Sequence, residues 1–133
     1  MKMVFRVLSA LVGLMFVMTG VNWIINPASA AAELGMELLT GVGASTQIGD
    51  ISSFFLSIAV MIGLAQRVGK AYWFYPAAIL VGTAAVTRTL AYLTGNAALG
   101  TQFIAAEVVM TAILLMAART RSDEVLAPDE PAS

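Results

Sequence analysis

Apolar residues gather into four long blocks, Val4–Ile25, Gln47–Ala65, Tyr72–Leu93 and Gly100–Ala118, divided by connections containing polar residues and glycine. Each block has about the 17–25 residues that a helix needs to cross a hydrocarbon core. The second and fourth are the least uniformly apolar, so their ends are soft. Short connections predict that the four helices pack as an antiparallel bundle. The pattern predicts an all-α integral membrane fold.

The longest connection is patterned too. In "PASAAAELGMELL" (27–39), Pro27 suits a first helical turn, and Glu33 and Glu37 stand four apart on one side. Leu34, Leu38 and Leu39 add an apolar strip. A short helix lying on the outer interface is expected between spans one and two, with an ordered loop as the alternative. "TGVGAST" (40–46) then breaks it, with Ser45 or Thr46 placed to cap the second span. Gly41 and Gly43 form a GxG, but no strand precedes it and the third glycine is missing, so it is no nucleotide loop. The stretch "SDEVLAPDEPAS" (122–133) is acidic and proline-containing, and reads as a disordered tail to a transmembrane domain of residues 1–121.

Composition narrows the class. Of 133 residues, 59% are hydrophobic and 11% charged, where a soluble domain carries about 25% charged residues. Mean hydropathy is +0.87. A soluble chain of this size could not cover so much apolar surface. Cysteine and histidine are both absent. That removes disulfides and the usual zinc, haem and iron–sulfur ligands, along with the commonest general base and the thiol nucleophile. No metal, cofactor or catalytic residue is expected. The net charge of −1 and the scattered basic residues exclude a phosphate-binding stripe, so nucleic acid is not an expected partner.

The basic residues orient the chain. Lys2 and Arg6 precede the first span, Arg67 and Lys70 separate the second from the third, and Arg119 and Arg121 follow the fourth. The connections 26–46 and 94–99 contain no Lys or Arg. The positive-inside rule places both termini and the central loop in the cytoplasm of a bacterial inner or plasma membrane. The first span also resembles a secretory signal, with "ASA" at 28–30. Its length and the bulky "NWIIN" before any cleavage point favour a retained signal-anchor helix.

One basic residue breaks the rule. Arg88 lies within "VGTAAVTRTLAYLTG" (81–95), and two carboxylates, Asp50 and Glu107, also fall inside spans. Each such charge costs on the order of 2.5–3.5 kcal/mol at the bilayer centre and less near an interface. At 1.5 Å per residue, Arg88 lies roughly 9 Å, Glu107 roughly 11 Å, Asp50 about 6–8 Å and Asn22 about 5 Å from the outer ends of their helices. The expectation is one polar layer in the outer leaflet, made of Asn22, Asp50, Arg88 and Glu107, with Gln47 and Gln102 just above it. Side chains lean toward their helix N-termini, so Arg88 leans inward while Asp50 and Glu107 lean outward. Pairing within the bundle is favoured over snorkelling, and Arg with a carboxylate can be bidentate. The layer reads either as an ion pair that fixes helix register or, with two carboxylates against one guanidinium, as a site for a proton, cation or polar ligand.

Other faces read as packing. Gly49, Ser53 and Ser57 are spaced by four, as are Ala78 and Gly82, which permits close helix contact. "YWFY" (72–75) and Trp23 are expected as aromatic anchors at opposite interfaces. Met15, Met18, Met61, Met110 and Met116 read as pliable filler rather than a copper path.

Pro27, "GTAAVTRTLAYLTGN" (82–96) and the glutamate of "FIAAEVVM" (103–110) resemble the DoxX-like group of small four-helix membrane proteins, closest to an uncharacterised branch. The resemblance covers most of residues 3–119, and Gly82, Arg88 and Glu107 fit its pattern. "QIGDISSFF" (47–55) departs from it, where the group tends to show a basic residue and paired glycines. The resemblance implies a fold, not an activity. The expected function is a non-enzymatic accessory or scaffold subunit of a membrane complex, with lipids and either a protein partner or further copies of itself around it. The alternative is a binder or carrier of a lipid, quinone-like or other hydrophobic small molecule. A proton-coupled transporter and an enzyme rank below these.

Overall fold

The computed structural model describes residues 1–121 and is all-helical over that range. Five α-helices follow in order: α1 (Lys2–Ile25), α2 (Pro27–Glu33), α3 (Gly41–Ala65), α4 (Phe74–Leu93) and α5 (Thr101–Arg121). A 3₁₀ turn, Ala71–Trp73, leads into α4. Four segments are long and apolar enough to cross a membrane, Lys2–Ile25, Gly41–Ala65, Ala71–Leu93 and Thr101–Arg121. The chain is therefore read as an integral membrane protein. The acidic tail expected at 122–133 lies outside the described residues.

Two connections turn on left-handed glycines. Gly35 (φ 70°) and Gly95 (φ 75°) each follow a helix whose last carbonyls are closed by two backbone bonds. After α2 these are Gly35 N to Ala32 O and Met36 N to Ala31 O; after α4, Gly95 N to Tyr92 O and Asn96 N to Ala91 O. This is the Schellman arrangement, and it needs a residue that tolerates positive φ. It stops α2 at Glu33, so the expected interfacial helix is only the first half of 27–39 and Glu37 lies in a loop. Gln47 braces that loop: its Oε1 accepts from Leu39 N at 2.9 Å and its Nε2 donates to Glu37 O at 3.1 Å.

α3 starts at Gly41, six residues before the expected span. Neither Ser45 nor Thr46 caps it; both are helical, and Thr46 Oγ1 donates back to Val42 O at 3.1 Å. The glycines of 40–46 read as a break, but Gly41 opens the helix, after Thr40 in extended conformation.

α1 packs chiefly on α3 and α4 chiefly on α5, while α1 also meets α5 and α3 meets α4. On α1 and α3 the contacts pair Ser9 with Gln66, Gly13 with Ile62 and Gly20 with Leu56. A Cβ on Gly13 would come within 2.8 Å of Ile62 Cγ2, and one on Gly20 within 2.7 Å of Leu56 Cγ. Those two glycines let the backbones approach, as small residues do between membrane helices. The stripe expected to do so, Gly49, Ser53 and Ser57, is exposed, and a Cβ on Gly49 would meet nothing within 4 Å. Ala78 is buried as expected, and Gly82 faces Thr111.

Buried residues crowd one end of the bundle. On α5 they are Leu114, Ala117, Ala118 and Arg121, all in its second half. They meet Phe74, Ala77 and Ala78 of α4 and Ile58, Ile62 and Ala65 of α3 in a single cluster. Arg121, 1% exposed, closes this end. Its guanidinium donates to Ala65 O (3.2 Å), Gln66 Oε1 (3.1 Å) and Gln66 O (3.0 Å), and stands 5.8 Å from the centre of the Phe74 ring. Gln66 Nε2 in turn donates to Ser9 Oγ at 3.0 Å, and Ser9 Oγ donates to Arg6 O. One side chain thus ties α5 to α3, and through Gln66 to α1.

A second, smaller cluster forms at the opposite end. Trp23 is fully buried beneath Ala30 and Ala31 of α2, with Leu34, Leu38 and Ile51 around it. It is not the interface anchor expected, because α2 folds back over it. "YWFY" divides: Tyr72 and Tyr75 are exposed, whereas Phe74 is buried under Arg121. Met15, Met18 and Met116 also face outward rather than filling the core.

Two stability measurements test this packing, read by reversible detergent unfolding followed by circular dichroism. Gly20→Val should cost about 1–3 kcal/mol by overpacking, while Gly49→Val should stay within about 0.5 kcal/mol of the parent. Arg121→Met should cost on the order of 3 kcal/mol, since it leaves buried acceptors without a donor. Arg67→Met, at an exposed loop position, should change stability by no more than about 0.5 kcal/mol.

Candidate functional site

Arg88 stands five residues before the end of α4 and Glu107 six residues into α5, roughly 8 and 9 Å along their helices. The two meet: Arg88 Nε donates to Glu107 Oε1 at 2.8 Å, the length of a charge-assisted bond. The contact is a single bond through Nε, not a bidentate fork. Glu107 Oε2 is buried and has no hydrogen-bond partner. The Glu107 side chain is 13% exposed and that of Arg88 42%.

The face of α5 explains the placement. Phe103, Glu107 and Thr111 recur every four residues and so share one side of the helix. The Phe103 ring centre lies 5.1 Å from Arg88 Cζ, a cation–π distance. Thr111 Oγ1 donates to Glu107 O at 2.7 Å, and its methyl lies against Gly82 of α4. The pair is thus fixed on three consecutive turns of α5.

Beside the pair lies a cleft of about 560 Å³. Phe16, Phe54 and Phe55 form an aromatic wall, with Phe16 and Phe55 stacked at 5.7 Å. Ala84 of α4 and Ala106 of α5 leave the space open, and Leu34, just after α2, borders it. Of its lining residues, Met15 on α1, Arg88 on α4 and Ala105, Ala106 and Val109 on α5 are exposed, and Met15 with the α5 residues marks a mouth between α1 and α5. Arg88, Glu107 and Thr19 are its polar lining; the other lining residues are apolar. Pockets of roughly 300–1,000 Å³ with apolar walls and few polar groups are the usual form of small-molecule sites.

The expected four-residue layer comes apart. Arg88 and Glu107 are together; Asn22 and Asp50 are not with them. Asn22 Nδ2 donates to Glu33 Oε1 at 3.5 Å, linking α1 to α2. Asp50 is exposed on the outside of α3, and among the described residues its carboxylate has no partner. Ser52, Ile58, Ala59 and Ile62 mark the buried face of α3, and at 100° per residue Asp50 lies about 140° from its centre. Depth alone grouped these residues; rotation about the helix axis separates them. Gln102 is exposed, and Gln47 serves the loop described above. Phe103 was not singled out in the sequence; its i, i+4 spacing from Glu107 was the signal that could have placed a ring under Arg88.

Comparison with known protein families, with curated proteins and with solved structures gives no match to this chain.

A double-mutant cycle measures the pair. Arg88→Met, Glu107→Leu and their combination, unfolded in detergent, should give a coupling of about 0.6–1.7 kcal/mol, the range found for hydrogen bonds between membrane helices. A coupling near zero would mean the 2.8 Å contact adds nothing to the fold.

Proposed function

We propose that this protein binds a small hydrophobic molecule within the membrane, holding its polar end at Arg88 and Glu107. The observation that carries this reading is the apolar cleft of about 560 Å³ opening between α1 and α5 with an ion pair on its wall. A register-fixing pair needs no such space. Binding or carrying is favoured over catalysis, since the polar groups of the cleft are one ion pair and the Thr19 hydroxyl, which donates to Met15 O rather than to a base. Among the described residues, no three His, Cys, Asp or Glu side chains cluster as metal ligands would.

The frame of the proposal is an antiparallel four-helix bundle with both termini on the cytoplasmic side of a bacterial plasma membrane. Six of the seven basic residues support that orientation. The descending order of contacts, Ser9–Gln66 to Gly20–Leu56 and Gly82–Thr111 to Arg88–Glu107, supports the antiparallel packing of each pair. The cleft then lies in the outer leaflet. The DoxX-like resemblance of residues 82–107 agrees with this frame.

A second reading, an accessory subunit or homo-oligomer, is favoured by the outer face of α3. Gly49, Asp50, Ser53 and Ser57 are all exposed there, and small residues are typical of membrane helix interfaces. The two readings are compatible.

Native mass spectrometry of the full chain released from membrane nanodiscs tests the binding reading. The parent should carry a co-purifying small amphiphile, and Ala84→Trp and Ala106→Trp, which fill the cleft from opposite walls, should each lose it. A ligand at 100 times its Kd should also raise stability by about 2.7 kcal/mol. Bare protein in every lipid tried, or adducts unchanged in both tryptophan variants, would sink the proposal.

A further inference from the structure

The chemistry of the ligand's polar end can be read from atoms that the protein leaves unused; this rests on the binding reading above. Among buried side-chain nitrogen and oxygen atoms of the described residues, Trp23 Nε1 and Glu107 Oε2 lack a partner, and of these two residues only Glu107 borders the cleft. A buried acceptor without a donor is unfavourable, more so when it carries charge. Hydrocarbon around the bundle has no water to supply the missing bond. The site therefore calls for a donor, an O–H or N–H, at Glu107.

Arg88 supplies the complement. A guanidinium has five N–H groups; its Nε is committed to Glu107, and its two terminal nitrogens have no partner among the described residues. They can donate to an acceptor on the same head group. The charges decide the rest. Guanidinium and carboxylate sum to zero, so a charged head, anionic or cationic, meets no net counter-charge to offset the loss of its hydration. An uncharged head bearing a hydroxyl next to an acceptor satisfies both groups.

Size and walls set the tail. At roughly 30 Å³ per water-sized group, 560 Å³ holds on the order of twenty non-hydrogen atoms, which fits one acyl chain and a small head, not a two-tailed phospholipid. The walls are aromatic and aliphatic, and the mouth faces the lipid side between α1 and α5.

We infer that the cleft selects an uncharged, single-chain, hydroxyl-bearing amphiphile of the monoacylglycerol type, whose hydroxyl donates to Glu107 Oε2 and whose neighbouring oxygen accepts from Arg88.

The test uses the full chain in phosphatidylcholine nanodiscs and three radiolabelled probes with one acyl chain in common. Monooleoylglycerol is uncharged with hydroxyls, methyl oleate is uncharged without a donor, and oleate is anionic. Monooleoylglycerol should bind about tenfold or more tighter than either of the others, the factor expected for one hydrogen bond to a charged group. The combined variant Arg88→Met with Glu107→Leu removes both charges together and leaves neither one unpaired, a replacement that buried ion pairs often tolerate. It should keep binding the acyl chain while the preference between monooleoylglycerol and methyl oleate falls to about one. Its circular dichroism and detergent unfolding, compared with the parent, verify that it is folded. Equal binding of the two uncharged probes by the parent overturns the head-group inference and leaves the binding reading standing. So does tightest binding of oleate, or a preference that survives in the folded double variant. No binding of any probe to the parent overturns the inference and counts against the cleft reading beneath it. Should the double variant fail to fold, Glu107→Gln, which keeps the side-chain shape and removes the charge, must weaken the preference at least threefold; an unchanged preference overturns the inference.

Discussion

Arg121 holds one end of the bundle together, and the rest of the structure takes its shape from that closure. Between helices in lipid the hydrophobic effect supplies little attraction, because the solvent is as apolar as the side chains. Directional contacts therefore carry unusual weight. The last carbonyls of α3 have no intrahelical partner, and Arg121 bonds both Ala65 O and Gln66 O. The Gln66 amide passes the connection on to Ser9 of α1. Around this point the core is filled by small and branched side chains from α3, α4 and α5. Among the described residues no comparable knot joins α1 to α5 at the other end, and there the cleft opens.

Two of the helical arginines, Arg121 and Arg88, show how differently one side chain can be used. Arg121 donates to two backbone carbonyls and a side-chain amide and is set over Phe74. Arg88 makes one bond and has one ring beneath it. Placing a guanidinium and a carboxylate in a span costs on the order of 2.5–3.5 kcal/mol each at the centre, and somewhat less at the depth of roughly 8–9 Å found here. A single interhelical hydrogen bond returns about 0.6 kcal/mol on average. As a fastener the pair is a poor exchange. On the proposed reading, as the polar end of a binding cleft, it has a reason to be there.

What was legible in the amino-acid sequence follows from which physical variable each feature depends on. Span positions depend on summed apolarity, a one-dimensional property, and all four were visible, although α3 reached back to Gly41 through residues whose glycines looked like a break. Arg88 and Glu107 could be paired from depth and helix direction alone. Rotation about each helix axis was not legible, because lipid-facing and core-facing residues are equally apolar and leave little amphipathic signal. Hence Asp50 could be placed in depth but not in angle, and Gly49, Ser53 and Ser57 could not be told apart from Gly13 and Gly20 as approach surfaces. Trp23 followed the rule for interface aromatics until α2 covered it, a tertiary event that no local pattern announces. Arg121 was read only as an orienting charge, since its partners Ala65, Gln66 and Ser9 are distant in sequence.

The cleft itself is a choice made in side-chain size. Leu or Ile at positions 84 and 106 would add bulk toward the space between α1, α4 and α5, and protein interiors ordinarily fill such voids to crystal-like density. Instead the chain sets alanines opposite the stacked rings of Phe16 and Phe55. A dry void forfeits dispersion contacts along its whole lining, so an empty cleft is a standing cost to a bundle already poor in buried surface. A hydrocarbon chain from the surrounding lipid can fill it through the mouth at Met15 and Val109, but only a molecule with a donor at its end also meets Glu107 Oε2. On the proposed reading, apolar filling makes the site general, and the lone buried oxygen makes it selective.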